Sequence, residues 1–198
     1  MRSERLNIML EIALFAAISL ILDLFIPAIG PFKFDFKMVP VIVLALRRGV
    51  VPGILGGFLW GLLQFLVGDA TILTITQFLL EYFVAFSMIG LAGVVSNPLK
   101  DAIRKEPKAY GKQLFLVGSG VVIGSAARYV IHFIAGFVFW GIYAPEGQGA
   151  VLYSFIVNGI GFLTEAGTSL VVIFLMVSYF EKLFLDSTSR NEKATTES

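Results

Sequence analysis

Long apolar stretches recur along nearly the whole chain, and they limit its possible folds more than any other feature. A helix needs about 20 predominantly apolar residues to cross a bilayer. Charge clusters and turn residues separate six apolar segments, near residues 7–26, 34–46, 50–67, 72–95, 113–140 and 151–178. With 57% hydrophobic and 15% charged residues, the chain has more apolar surface than a soluble core of its size can bury. The sequence therefore predicts an all-α membrane protein.

Several kinds of chemistry are excluded by residues that the sequence lacks. With no cysteine, the chain has no disulfide scaffold, thiol nucleophile or Cys-based zinc site, and its single histidine cannot build a metal site alone. No Gly-x-x-x-x-Gly-Lys-Ser/Thr motif for ATP hydrolysis is present, and no nucleophile lies at usable spacing from a base. The net charge of +1 gives no indication of a nucleic-acid partner. We expect no cofactor and no enzymatic activity.

The six segments predict a single integral-membrane domain over residues 1–185. The second segment begins with PFKFDFK, so we expect it to lie in the interface or to form only a partial helix. No Ala-x-Ala-like cleavage site closes the first segment, which is therefore predicted to be a retained helix. Residues 186–198 are polar and are predicted to form a disordered tail.

Basic residues indicate the orientation of the bundle, because Lys and Arg in short loops stay on the cytoplasmic side. With the N-terminus inside, twelve of the fifteen Lys and Arg residues fall on that side. Lys33 and Lys37 fall outside, and Arg128 lies within the fifth segment. This distribution predicts six spans with both termini in the cytoplasm.

Polar residues inside the apolar segments indicate a binding site, because each is costly in lipid and must face protein, water or a ligand. At about 1.5 Å per residue, four distinctive side chains reach depths of roughly 10 to 14 Å below the outer surface. They are Trp60, Glu81, His132 and Asn158. Tyr82, Trp140 and Tyr153 add aromatic surface at or above this level. The sequence thus predicts an outward-facing cavity with aromatic walls and one carboxylate.

Such a cavity suits an organic cation, because ring faces attract cations and a buried carboxylate supplies the countercharge. Arg128 and Glu165 lie deeper, at roughly 18 and 21 Å, where they can neutralise each other as an ion pair. Glu81 then keeps its charge for the ligand. In the alternative arrangement, Arg128 pairs with Glu81 and the two only join helices.

The fifth segment carries Arg128, His132, Gly136 and Trp140 at four-residue spacing, which places them along one side of a helix. Gly136 leaves room for a ligand ring between His132 and Trp140. The structural alternative is a histidine bonded to a neighbouring helix and a tryptophan in the interfacial belt.

Small residues four apart mark two helix faces that another helix can approach closely. The third segment has such a face, formed by Gly49, Gly53, Gly57 and Gly61, which we expect to serve internal packing. The first segment has Ala13 and Ala17. Their spacing suits either an internal neighbour or a partner subunit and, taken alone, favours the internal neighbour.

Four stretches together resemble one known family: LALRRG at 44–49, LLEYFVAF at 79–86, RYVIHFIAGFVFWGIYAPEG at 128–147 and YSFIVN at 153–158. From about residue 7 to 178 the chain resembles the thiamine-specific substrate-binding (S) components of energy-coupling factor (ECF) transporters. The resemblance implies a six-helix subunit of the bacterial plasma membrane that binds thiamine from outside. Its partners would be a transmembrane coupling subunit and two cytoplasmic ATPase subunits.

The resemblance also implies roles for the candidate residues on the third and fourth segments. Glu81 resembles the acidic pocket residue of the family, with Tyr82 beside it and Trp60 contributing a wall. Members often place a tryptophan in the first outer loop, where this chain has GPFKFDFK. The substitutes available there are Phe32, Phe34 and Phe36.

On the last two segments, the resemblance implies direct contacts with the ligand. His132 and Trp140 resemble the pair that sandwiches the thiazolium ring, with Gly136 between them. Tyr153 and Asn158 resemble polar partners of the ligand.

The first segment matches the Ala-x-x-x-Ala motif through which these proteins dock on the coupling subunit. For Ala13 and Ala17, the resemblance therefore implies a partner subunit in place of internal packing. By the same resemblance, ATP-driven motion would tip the docked subunit so that its pocket opens inward.

Two other functions stay open at this point. An S component for hydroxyethylthiazole, riboflavin or biotin would have the same fold with a different ligand. A self-sufficient carrier of an organic cation is the other alternative, although repeats or broken helices in matching halves are expected of such carriers and none is evident.

Overall fold

The computed structural model describes residues 2–25, 35–106 and 109–185, which form helices and short connections with no strand among them. In chain order the helices are α1 (Arg2–Phe25), α2 (Val39–Arg48), α3 (Val50–Leu66), α4 (Ile75–Lys105), α5 (Tyr110–Phe139) and α6 (Ala150–Phe180). Short 3-10 turns, Gly141–Tyr143 and Glu181–Phe184, follow α5 and α6. Six helical segments and the all-α class are thus confirmed for the described residues. The predicted tail, 186–198, lies outside them.

Not all of these helices are long enough to cross a membrane. Four of them, α1, α4, α5 and α6, have the necessary length and apolar composition. The helix α3 has 17 residues, and α2 has 10 residues and a length of about 15 Å, roughly half the thickness of a hydrocarbon core. Residues 39–46 of α2 are all buried. The second segment is therefore the partial helix that the sequence offered as one possibility, enclosed within the bundle.

The second helix begins later than the predicted residue 34. Pro40 lies in the first turn of α2, a position that proline favours because its missing N–H has no helical partner there. Just before the helix, Lys37 Nζ lies 2.7 Å from an Asp35 carboxylate oxygen and 3.3 Å from one of Asp23 in α1. Gln64 of α3 also donates a hydrogen bond to Asp23. These polar contacts join α1, α3 and the chain leading into α2.

The bundle is organised around α2, which contacts each of the other five helices. The helices α5 and α6 pack along each other, α4 packs on α3 and α5, and α1 packs on α2 and α3. Its core receives Ala16 from α1, Ile42 from α2, Ile89 from α4, Val121 from α5 and Ile173 from α6, all fully buried. This packing brings α4, α5 and α6 together around a common space.

The glycine face of α3 packs against α4, as predicted. A Cβ atom at Gly57 or Gly61 would collide with the backbone carbonyl oxygen of Phe86 or Tyr82, respectively. Only glycine permits so close an approach between the two backbones. Gly49 has a different role, because it joins α2 to α3 with a φ of +92°, in the left-handed region that favours glycine.

The helix α4 changes its winding along its length. An α-helical turn (Ile75–Phe78) leads into a π-helical turn (Leu79–Val84), followed by Ala85–Met88, a 3-10 stretch (Ile89–Val95) and a final α-helix (Ser96–Lys105). π-helical turns are rare and are frequently found at functional sites. This one carries Glu81 and Tyr82.

The fourth segment also extends beyond the predicted residue 95. Leu99 and Ile103 of the added part are buried, whereas Lys105 is exposed. Basic residues at this end suit a helix C-terminus, where the helix dipole is negative. The amphipathic pattern continues the helix after the apolar run has ended.

An ionic cluster joins three elements at the α2–α3 end of the bundle. The Glu11 carboxylate of α1 accepts hydrogen bonds from Arg47 at 3.0 and 3.1 Å and from Arg48 at 2.7 Å. Arg47 also donates to the carbonyl oxygens of Leu183 and Leu185, beyond α6. Glu11 thus has a structural role, about three helical turns along α1 from Asp23.

Candidate ligand-binding site

A cavity of about 240 Å³ lies between α4, α5 and α6. Its lining consists of Glu81, His132, Gly136, Trp140, Tyr153, Ser154, Val157 and Asn158. Six of the eight residues that the sequence predicts as ligand contacts are therefore brought together. Polar and aromatic side chains share this small space, as is typical of small-molecule sites.

Glu81 enters the cavity from the π-helical turn of α4, and two neutral groups hold its carboxylate. The indole Nε1 of Trp140 donates a hydrogen bond to Oε1 at 2.7 Å, and the amide of Gln77 donates one to Oε2. Each carboxylate oxygen thus faces an N–H donor. Within the described residues, neither lysine nor arginine lies at salt-bridge distance from Glu81.

Arg128 pairs with Glu165 of α6, which confirms the first of the two predicted arrangements. The guanidinium also lies 5.3 Å from the centre of the Phe86 ring, with Nη1 3.5 Å from Met38 Sδ. The Arg128 guanidinium is therefore engaged by the carboxylate of Glu165 and not by that of Glu81. The Glu81 carboxylate is left without a paired cation among the described residues.

The Arg128–Glu165 pair borders a second cavity of about 230 Å³, which shares His132, Val157 and Asn158 with the first. Three buried side-chain atoms among its lining residues lack a hydrogen-bond partner within the described part of the chain. They are Ser125 Oγ, Arg128 Nε and His132 Nε2. Because buried polar atoms nearly always have partners, His132 Nε2 has the capacity for one further hydrogen bond, to a ligand or to water.

Gly136 allows α6 to lie close against α5. A Cβ atom there would collide with Ser154 Oγ and would lie 2.7 Å from Asn158 Nδ2. Ser154 donates a hydrogen bond to the Phe133 carbonyl at 2.7 Å, and Asn158 donates to Ser154 at 3.1 Å. The glycine therefore makes room for polar side chains of α6, a role that the spacing along α5 did not reveal.

Trp60 and Tyr82, the other two predicted contacts, do not line this cavity. Trp60 is fully buried and stacks on Phe86 with ring centres 4.3 Å apart, and the Phe86 ring lies 6.3 Å from that of His132. The Tyr82 hydroxyl accepts a hydrogen bond from the Thr71 N–H at 2.8 Å. Both side chains pack on Phe86, whose ring lies next to that of His132.

The first-loop phenylalanines are placed only in part. Phe32 and Phe34 lie outside the described residues. Phe36 lines an apolar groove on α6, together with Thr164 and Thr168, and does not line the cavity between α4, α5 and α6.

The structure also places a residue at the site that the sequence analysis did not single out. Gln77 is completely buried, one turn before Glu81, and contacts its carboxylate. The available signal was a polar residue four positions before an acid within an apolar run, because residues i and i+4 lie on the same face of a helix.

The two alanines of α1 do not share an environment. Ala13 is exposed and Ala17 partly so, whereas Ala16 and Ser19 point into the bundle and are fully buried. The face around Ala13 is otherwise formed by large apolar side chains: Leu6, Met9, Leu10, Leu14 and Ile21. The interpretation of Ala13 as an internal packing residue is therefore wrong.

The fold and the cavity together define a class: a helical membrane protein with a small-molecule site enclosed by three of its helices. Among known families, one described as thiamine transporter protein (Thia_YuaJ) matches residues 9–185. The chain belongs to this family, which consists of transporters and not of enzymes. The family resemblance seen in the sequence is thereby confirmed.

Individual relatives match over most of their length. The thiamine transporter ThiT of Lacticaseibacillus paracasei is 36% identical over 199 residues, covering 96% of this chain and 98% of its own. ThiT of Bacillus subtilis is 35% identical over 161 residues, covering 79% and 83%. The solved structure of ThiT from Listeria monocytogenes has a TM-score of 0.85 and 39% identity, covering 92% of this chain and 99% of its own.

Proposed function

We propose that this chain captures thiamine from outside the bacterial plasma membrane and is the S component of an ECF-type importer. The observation that carries the proposal is the Glu81 carboxylate, held in an aromatic cavity by neutral donors while Arg128 is engaged by Glu165. Thiamine has a fixed positive charge on its thiazolium ring. A cation of this kind is what such a cavity attracts.

The other lining residues supply what the rest of thiamine requires. The rings of His132, Trp140 and Tyr153 offer faces for its two rings, and cation–π attraction adds to the charge of Glu81. The amino group and ring nitrogens of the pyrimidine need hydrogen-bond partners, which Asn158 and His132 Nε2 provide. We assign Trp60 and Tyr82 to the support of these walls.

ATP-driven transport requires partners, because the sequence contains no ATP-binding motif. The face around Ala13 and Ala17 would dock on the transmembrane coupling subunit, which carries two cytoplasmic ATPases. Its support is the exposed apolar surface of α1, where small residues allow another helix to come close. Both termini would lie in the cytoplasm.

The ligand is tested by isothermal titration of the purified protein in detergent. The panel is thiamine, thiamine phosphates, hydroxyethylthiazole, riboflavin and biotin. We expect thiamine to bind with one site per chain and riboflavin and biotin not to bind. Tighter binding of riboflavin, biotin or hydroxyethylthiazole than of thiamine would contradict the proposed ligand.

The partner requirement is tested in liposomes. We expect the protein alone to bind radiolabelled thiamine without accumulating it, and accumulation to require co-reconstituted coupling and ATPase subunits with ATP inside. Accumulation by the protein alone, driven by an ion gradient, would show a self-sufficient carrier instead.

A further inference from the structure

Gln77 connects Glu81 to the chain segment that precedes α4. Its side-chain Oε1 accepts a hydrogen bond from the Leu73 N–H at 2.9 Å, and its Nε2 donates to the Thr71 carbonyl at 3.2 Å and to Glu81 Oε2. The side chain is fully buried. The amide oxygen thus accepts one hydrogen bond, and both N–H groups of the amide donate one each.

Two of these partners fix which way the amide points. A backbone N–H can only donate and a backbone carbonyl can only accept, so Leu73 must face Oε1 and Thr71 must face Nε2. The amide therefore presents an N–H to Glu81 and cannot present its oxygen without losing both backbone bonds. On the other side, the indole of Trp140 is also a donor only.

We propose that Gln77 is the positioning residue of the ligand site, holding the Glu81 carboxylate as a two-oxygen acceptor directed into the cavity. It acts through Glu81 and lines no part of the cavity itself. The same amide holds the segment 71–73, so the position of the carboxylate is tied to the connection between α3 and α4. This inference rests on the proposed function only in its affinity measurement, because that measurement uses thiamine as the ligand.

The first test uses Gln77→Met, which keeps the size of the buried side chain and removes its amide. Thr74→Ala is the matched control, because it removes the cap that accepts from the Gln77 backbone N–H at 3.1 Å and leaves the amide in place. We expect Gln77→Met to weaken thiamine binding by about tenfold or more and Thr74→Ala by less than about twofold. Thermal unfolding of both variants reports whether each is folded.

A spectroscopic measurement tests the same claim without any ligand. The chain has two tryptophans, so the indole N–H region of a ¹⁵N-correlated NMR spectrum contains two resonances, which Trp60→Phe assigns. The Trp140 indole bonds Glu81 directly, so Gln77→Met is expected to shift its resonance and Thr74→Ala is not. This result stands even if the protein fails to bind thiamine, so the two proposals can fail separately.

A double-mutant cycle separates positioning from general packing. If Gln77 acts through Glu81, Gln77→Met costs less than about twofold in affinity once Glu81→Gln is present. Equal losses of affinity from Gln77→Met in both backgrounds, or parent-like affinity with an unshifted indole resonance, would overturn the proposal.

Should Gln77→Met not fold, Gln77→Glu replaces it. The new carboxyl group still accepts a hydrogen bond from the Leu73 N–H but repels the Glu81 carboxylate. It is expected to weaken binding and shift the indole, and parent-like behaviour in both would again overturn the proposal.

Discussion

At the scale of single residues, the site depends on a carboxylate that is bonded but not neutralised. An acidic side chain within a membrane span is costly and usually pairs with a cation or marks a functional site. Arg128 pairs with Glu165, whereas the partners of Glu81 among residues 35–106 and 109–185 are the neutral N–H groups of Gln77 and Trp140. Within the described part of the chain, this distribution leaves one carboxylate of the cavity without a paired cation, and under the proposed function a cationic ligand supplies it.

Replacing Glu81 by glutamine removes this charge with little change in shape. We expect thiamine affinity to fall at least tenfold, equivalent to about 1.4 kcal/mol, because the cation loses its close countercharge. Isothermal titration measures the change. The control is Glu106→Gln, at an exposed ion pair with Lys112 far along the chain from the site, which is expected to bind as the parent does. Unchanged affinity of the Glu81 variant would make Glu165 the countercharge.

Gly136→Ala tests the close approach of α5 and α6. The added methyl group collides with Ser154 and displaces Asn158, so we expect at least a tenfold loss of thiamine affinity together with lower thermal stability. Gly159→Ala is the matched control on α6, because a Cβ atom there meets nothing within 4 Å. Parent-like binding by the Gly136 variant would show that α6 can move away without harm to the site.

At the scale of elements, regular periodicity was predictable and irregular winding was not. His132, Gly136 and Trp140 line one cavity because four-residue spacing holds along α5, which is a continuous α-helix. The π-helical turn of α4 changes that spacing locally, and nothing in the residue pattern of 79–84 indicated it. The depth estimates likewise gave a level for Trp60 in the membrane but not the direction of its side chain. In the structure, the Phe86 ring lies between the rings of Trp60 and His132.

The exposed face of α1 carries a prediction about partners. Ala13→Trp combined with Ala17→Trp is expected to abolish thiamine uptake by cells, because two bulky side chains prevent another helix from approaching. Binding by the purified variant is expected to stay within about twofold of the parent. As a control, Val130→Trp on the exposed face of α5 should leave uptake intact. Loss of binding as well as uptake would show that the substitutions disturb the ligand site itself, and the docking role would then lose its support.

At the scale of the whole molecule, the number and order of the helices followed from apolar runs and charge clusters, while α2 followed only in outline. The apolar composition of α2 is that of a short membrane-spanning helix. Its burial, however, depends on contacts with the other five helices, which no local sequence pattern specifies. The cluster of Glu11 with Arg47 and Arg48 is a further long-range arrangement of this kind. The basic residues were predicted as loop charges, and two of them join helices.

The absence of cysteine makes the predicted orientation directly testable, since any introduced thiol is unique. We expect Glu146→Cys, at an exposed position in the connection between α5 and α6, to react with a membrane-impermeant maleimide in intact cells. Lys105→Cys, at the end of α4, should react only after permeabilisation. The reversed pattern would place both termini outside.

The most direct test of the central claim, that thiamine binds beside Glu81, follows the fluorescence of Trp140 alone. Trp60→Phe leaves Trp140 as the one tryptophan, and its indole is bonded to the Glu81 carboxylate in the cavity wall. Titration with thiamine is expected to quench its emission and to saturate at one ligand per chain. If equilibrium dialysis shows bound thiamine while the emission of Trp140 stays unchanged, the ligand occupies another place and the account is contradicted.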